Sequence, residues 1–175
     1  METQPTLTVQ NGTDSLARFT PRIASPGRYN TSMENYTADG IYIEASAERV
    51  FAALSDPQEI LIWLDATEAR IAPARGGEFS ARLEDGSSLQ GRISEFNPPL
   101  RLVIEELSWS KEEQERGKMK LLFELVPHDT GIWINIRQDG LDSGGEAGEW
   151  EDFARAIRRD LIQYTLRLKR HIEGI

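Results

Sequence analysis

Residues 149–174 read EWEDFARAIRRDLIQYTLRLKRHIEG, and this stretch decides the fold. Trp150, Phe153, Ile157, Leu161, Tyr164, Leu168 and Ile172 recur at spacings of three and four. That is one continuous apolar stripe over about six helical turns. Glu149, Glu151 and Asp152 favour the positive N-terminal end of such a helix, and the basic residues favour its other end. Gly174 is a natural stop. A helix this long with one wide apolar face has to lie across something equally apolar.

The preceding residues supply it. Gly76-Gly77 leads into Glu78 to Glu84, where Phe79, Ala81 and Leu83 alternate with polar residues. Asp85-Gly86 is a hairpin turn, and Ser88 to Phe96 alternates again through Leu89, Gly91 and Ile93. After Asn97-Pro98-Pro99 comes a strand from Leu100 to Trp109, then a charged connection, Lys111 to Lys118, read as an exposed hairpin loop with a short helical turn as the alternative. Met119 to Val126 places Met119, Leu121, Phe123 and Leu125 on one face, and Ile132, Ile134 and Ile136 give the last strand its apolar face. Glu68 to Ala72 is the expected first member of this meander, and Gly140 to Gly148 a glycine-rich loop before the long helix.

Upstream, Ile41 to Ala45 alternates as a strand with Ile41 and Ile43 inward. Ser46 offers an N-cap to a short helix over Ala47 to Leu54, and Asp56-Pro57 opens a second that turns Ile60, Leu61 and Trp63 inward. The fold class is therefore α+β: an antiparallel sheet, two short helices and a long C-terminal helix packed across it. Residues 1–36 read as an irregular or disordered extension, rich in Asn, Thr, Ser and Pro, and 37–175 as one domain.

Composition removes several function classes. The net charge of −9 disfavours a phosphate backbone as partner, so no nucleic acid is expected. Arg155, Arg158, Arg159, Arg167, Lys169 and Arg170 cluster near the C-terminus, where the favoured reading is a solvated helix face rather than an anion-binding surface. No run of about 18 apolar residues exists to span a membrane. Met1 to Gln10 lacks a secretory signal pattern, and with no cysteine the chain fits a cytoplasmic location. His128 and His171 are not spaced as a ligand pair, so no metal is expected and no nucleophile triad can be assembled. His128, beside Asp129, reads as a solvated turn, and Gly76-Gly77 and Gly144-Gly145 as turn glycines rather than a phosphate loop, so no cofactor is expected.

The residues Ile43-Glu44-Ala45-Ser46-Ala47-Glu48-Arg49-Val50-Phe51, Leu54-Ser55-Asp56-Pro57, Trp63, Gly76-Gly77-Glu78-Phe79, Asp85-Gly86 and Gly91 to Val103, followed by the aromatic-rich helix start at Trp150, come in a recognisable order. The chain resembles the helix-grip domains of the SRPBCC (START/Bet v 1-like) superfamily. Within it, the likeness is to the family of activators of the Hsp90 ATPase (AHSA1), and it covers about 135 of the 175 residues. The residues before Gly40 match nothing in that pattern. The resemblance implies a cavity between helix and sheet, since relatives include lipid-transfer domains, plant hydrophobic-ligand proteins and polyketide cyclases. It brings no universal catalytic residues.

Cavity candidates are Trp63, Phe79, Ile93, Ile104, Phe123, Ile134, Trp150, Phe153, Ile157, Leu161 and Tyr164. Two polar positions stand out. Strict alternation from Leu100, Leu102 and Ile104 carries Glu106 inward, where a carboxylate needs a partner or acquires a raised pKa suited to acid/base work. The alternative, a twist or bulge that turns Leu107 and Trp109 inward, is favoured by the size of Trp109. Tyr164 on the helix stripe either packs in the core or presents its hydroxyl to a ligand. Three functions follow: a binding module for an apolar small molecule; an Hsp90-type chaperone-interaction module; or an enzyme using Glu106 and Tyr164 on an enclosed aromatic or polyketide-like substrate. The shortage of catalytic groups favours the first. Both a monomer and a dimer are compatible with these residues.

Overall fold

The first strand, β1 (Tyr36–Ile43), runs into two helices that share a cap residue, α1 (Ala47–Ser55) and α2 (Pro57–Leu64). In the computed structural model the backbone is described for residues 36–112, 114–142 and 147–175, and side chains for 40–112, 117–139 and 155–175. Ser46 caps α1 by accepting a hydrogen bond from the Arg49 amide at 3.2 Å. Asp56 ends α1 and begins α2. Its backbone N–H donates to the Ala52 carbonyl at 2.9 Å, and its carboxylate accepts from the Gln58 amide at 2.7 Å. Pro57 sits in the first turn, where its missing N–H costs nothing. Ile60 and Trp63 are buried, and Leu64 joins them, whereas Leu61 is half-exposed.

The meander follows as β2 (Ala66–Ile71), β3 (Glu78–Leu83), β4 (Ser88–Asn97), β5 (Arg101–Lys111), β6 (Gln114–His128) and β7 (Gly131–Asp142). Among the described residues these strands and β1 form one antiparallel sheet in the order β1-β7-β6-β5-β4-β3-β2. The last element, α3 (Ala147–Glu173), is the long helix. This is the α+β helix-grip architecture that the stripe and the alternating strands imply.

Two expectations need correction. The hairpin expected over Lys111 to Lys118 is present, but most of its expected loop is strand: β5 and β6 extend into it, with Ser110 opposite Glu115 and Lys111 opposite Gln114. Cross-strand pairing, which a charged sequence does not advertise, holds those residues extended. Likewise β7 continues to Asp142 and α3 begins at Ala147, so only part of 140–148 connects them; residues 143–146 and residues 1–35 of the expected 1–36 extension lie outside the described residues, and Tyr36, the last of that extension, already belongs to β1.

The core is built from inner-face residues of the sheet and the helices over them, with Ile43, Val50, Ile60, Ile93 and Ile134 fully buried. β5 does not alternate throughout. The register with β6 slips between Ile104 and Leu107, and Glu106 adopts φ of 51°. This is a bulge, where one extra residue turns the side chains that follow. Leu107 is buried as a result and Glu106 is exposed. The partner strand accommodates the bulge at Gly91, where a Cβ would lie 2.7 Å from Ile104 Cγ2 and 3.2 Å from Leu107 Cα. Glycine is required there by close approach rather than by an unusual φ.

Candidate functional site

Between the inner face of the sheet and α3 lies an apolar cavity of about 40 Å³. Trp63 from α2, Phe79 from β3, Ile104 from β5, Phe123 from β6 and Ile157, Leu161 and Tyr164 from α3 all line it, with Leu107, Trp109 and Met119 among the others. Seven of the expected cavity residues thus meet at one place. Ile93 and Ile134 are fully buried in the core without lining the cavity. Trp150 and Phe153 belong to α3, but their side chains lie outside the described residues.

The polar groups of the lining are few. The Trp63 indole N–H donates to the Ala53 carbonyl at 2.9 Å, which fixes the ring edge-on against Phe123. Thr165 is buried, and its hydroxyl donates to the Leu161 carbonyl at 2.7 Å within its own helix. Tyr164 is different. It is half-buried, and its hydroxyl has no hydrogen-bond partner among the described residues.

Burial, with the nearby carboxylates of Asp160 and Asp85, pushes the Tyr164 phenol up from 10.0 to about 12. It remains a donor throughout the physiological range. In an unfolded chain the phenol ionises near 10 and in the native state near 12, so stability present below pH 10 should fall as pH rises to 12. A spectrophotometric titration of tyrosinate in the native protein should show a late-ionising group, near 12, that Tyr164→Phe removes.

Glu106 does not join this site. Its bulge sends it to the opposite face, so the acid/base pair of Glu106 and Tyr164 is not assembled. Instead it lines a polar groove of about 440 Å³ with Arg92 and Lys118. Sequence reading missed Gln138, which continues the inner face after Ile136 and is buried. Carrying the alternation of β7 one step further would have located it.

The basic cluster at the end of α3 is partly structural. Lys169 Nζ donates to the Tyr42 carbonyl at 2.7 Å and pairs with Glu173 at 2.6 Å. Glu173 in turn accepts from the Glu44 amide at 2.8 Å, and these bonds hold its carboxyl below the ordinary value. Arg167 pairs with Asp65 at 2.9 Å, and Glu59 is held by Arg49 at 2.7 Å and His171 at 3.0 Å. Such contacts tie the helix end to β1, α1 and α2. Arg155, Arg158, Arg159 and Arg170 remain exposed. His128 is exposed in its turn, with Nδ1 3.3 Å from Asp129, and among the described residues no cluster of candidate metal ligands occurs.

A sheet gripping a long helix over an apolar interior defines the helix-grip class. Residues 44–164 match the family model described as activator of Hsp90 ATPase homolog 1-like protein, and the chain belongs to that family. Similar solved structures include protein MLL2253 from Mesorhizobium loti, 19% identical with a TM-score of 0.66 over 81% of this chain and 98% of that one. The Aha1 dimer from Colwellia psychrerythraea is 17% identical, TM-score 0.60, over 81% of this chain and 97% of that one. DynU16, a protein of the dynemicin biosynthetic locus, is 15% identical, TM-score 0.61, over 79% of this chain and 47% of that one. At these identities the likeness is one of fold. None of the curated proteins matches the chain in sequence. No helix among the described residues is long and apolar enough to cross a membrane.

Proposed function

We propose that this domain binds a small, largely apolar molecule between the sheet and α3, with the Tyr164 hydroxyl donating to its one polar group. The observation that carries the reading is an almost wholly apolar cavity with Tyr164 in its wall, the Tyr164 hydroxyl making no hydrogen bond among the described residues. Burial is the first cause of the raised phenol pKa, with Asp160, Asp85 and Asp65 adding to it and Arg167, 6.0 Å from the ring, opposing them. An interior this apolar disfavours any ionised ligand, so the preferred polar group is a neutral acceptor such as a ketone or aldehyde carbonyl.

The cavity is small beside the roughly 150 Å³ that admits benzene elsewhere, so entry requires the lining to give way. Met119, flexible and polarisable, is the side chain best suited to move. Calorimetric titration with 2-undecanone and with undecanoate tests the proposal. The ketone should bind more tightly, and Tyr164→Phe should weaken it about fivefold, the loss of one neutral hydrogen bond. Binding of neither compound, or equal binding by the Tyr164→Phe protein, would sink the reading.

A chaperone-interaction role is a second reading, favoured by the family match alone. It expects the domain to raise the ATPase rate of the host's own Hsp90. An unchanged rate at saturating domain concentration removes it.

A further inference from the structure

A polar groove lies on the outer face of the sheet, away from the interior cavity except at Phe79, which lines both. It measures about 440 Å³, within the range of small-molecule pockets. Two irregularities create it. Glu106 sits at φ of 51°, a conformation that non-glycine residues enter at a cost, and Gly91 on the facing strand lacks the side chain that would collide with Ile104. Both accompany one result: Glu106 is exposed on the outer face and lines the groove that Arg92 also lines.

These two charges do not satisfy each other. Neither Glu106 nor Arg92 makes an ion pair or hydrogen bond among the described residues, although both line the same groove. Elsewhere on this face opposite charges do pair, as Lys120 with Glu105 at 2.9 Å and Arg101 with Glu95 at 3.0 Å. Glu78 and Lys118 complete the charged lining, and Ser80, Gln90 and Ser108 add hydrogen-bonding groups. Lys118 makes an interaction of its own, which leaves Glu106 and Arg92 as opposite charges without partners among the described residues. A simple anion or cation would satisfy only one of them. A molecule carrying both signs a few atoms apart would meet its complement at each end.

We propose that this groove binds a small zwitterion of the free α-amino-acid class, its ammonium on Glu106 and its carboxylate on the Arg92 guanidinium. Arginine suits the second role because its planar fork grips a carboxylate through two parallel hydrogen bonds.

The test is an NMR titration of backbone amides with free L-alanine, L-leucine, L-glutamate and L-lysine, beside propionate and propylamine as single-charge controls. At least one amino acid should shift the amides of Gly91, Arg92, Glu106 and Ser108, and both controls should leave them unmoved. Glu106→Gln and Arg92→Gln should each weaken binding about tenfold, as expected for a charge-assisted contact, with an unchanged melting temperature. Tyr164→Phe should leave these shifts intact, which separates this site from the interior one. Shifts by none of the amino acids at millimolar concentration, equal shifts by propionate, or full binding by Glu106→Gln would overturn the proposal.

Discussion

Truncating Leu168 to alanine is expected to lower stability by about 3 kcal/mol and, at the same time, to raise the affinity for a small hydrocarbon. Leu168 is 1% exposed and lines the cavity. Removing its outer carbons forfeits their burial, and the helix cannot settle inward to recover it. Lys169 and Glu173 hold that part of α3 to β1, and Arg167 holds it to Asp65. The new void therefore stays open and joins the existing cavity of about 40 Å³. Urea denaturation reads the first effect and toluene titration the second. A stability loss without gain in toluene binding would mean that the site collapses.

The second large effect is expected at Gly77. An alanine there would drive its Cβ onto the Ala72 carbonyl oxygen and to 2.9 Å from the Ala74 oxygen. Both oxygens are backbone atoms in a tightly bonded loop. Ala74 N donates to Ala72 O at 2.7 Å, Gly77 N to Ala74 O at 2.9 Å, and Ile93 N to Gly77 O at 2.8 Å. Relief of the clash has to break some of these, so Gly77→Ala should cost about 3 kcal/mol. Gly76→Ala is the control. Gly76 has φ of 83° with nothing near a Cβ, and only the left-handed backbone opposes a side chain, at about 1 kcal/mol. Denaturation midpoints of the two variants should differ accordingly; equal midpoints would refute the steric account.

These adjacent glycines show how far the residues alone carry an interpretation. Their role as turn residues is visible in the sequence, because Gly-Gly before an alternating run marks a bend. Which of them needs space and which needs a positive φ depends on where Ala72 returns, a tertiary fact. The same division runs through the molecule. Periodicity places Ile157, Leu161, Tyr164 and Leu168 on one face of α3, and alternation places Phe79 and Phe123 opposite them. The size of Trp109 favours a bulge in β5, yet its position at Glu106 follows from register with β4 and β6. Gln138 escapes notice because a polar residue ends an apolar run, and burial rather than residue type marks it. The paired state of Arg167 and Lys169 likewise depends on chain segments more than 100 residues away, at Asp65 and Tyr42.

Asp56 has a further consequence. Because one residue terminates α1 through its N–H and starts α2 through its carboxylate, no free backbone separates the two helices. A hinge needs residues whose dihedrals can change without loss of bonds, and here any rotation would release both caps together. The α1–α2 pair consequently behaves as a single rigid corner, with Trp63 anchored inside it by the Ala53 carbonyl. Under the proposed binding function, a molecule reaching the interior would be admitted by the sheet or by α3, with the helical corner as the fixed jamb of that door.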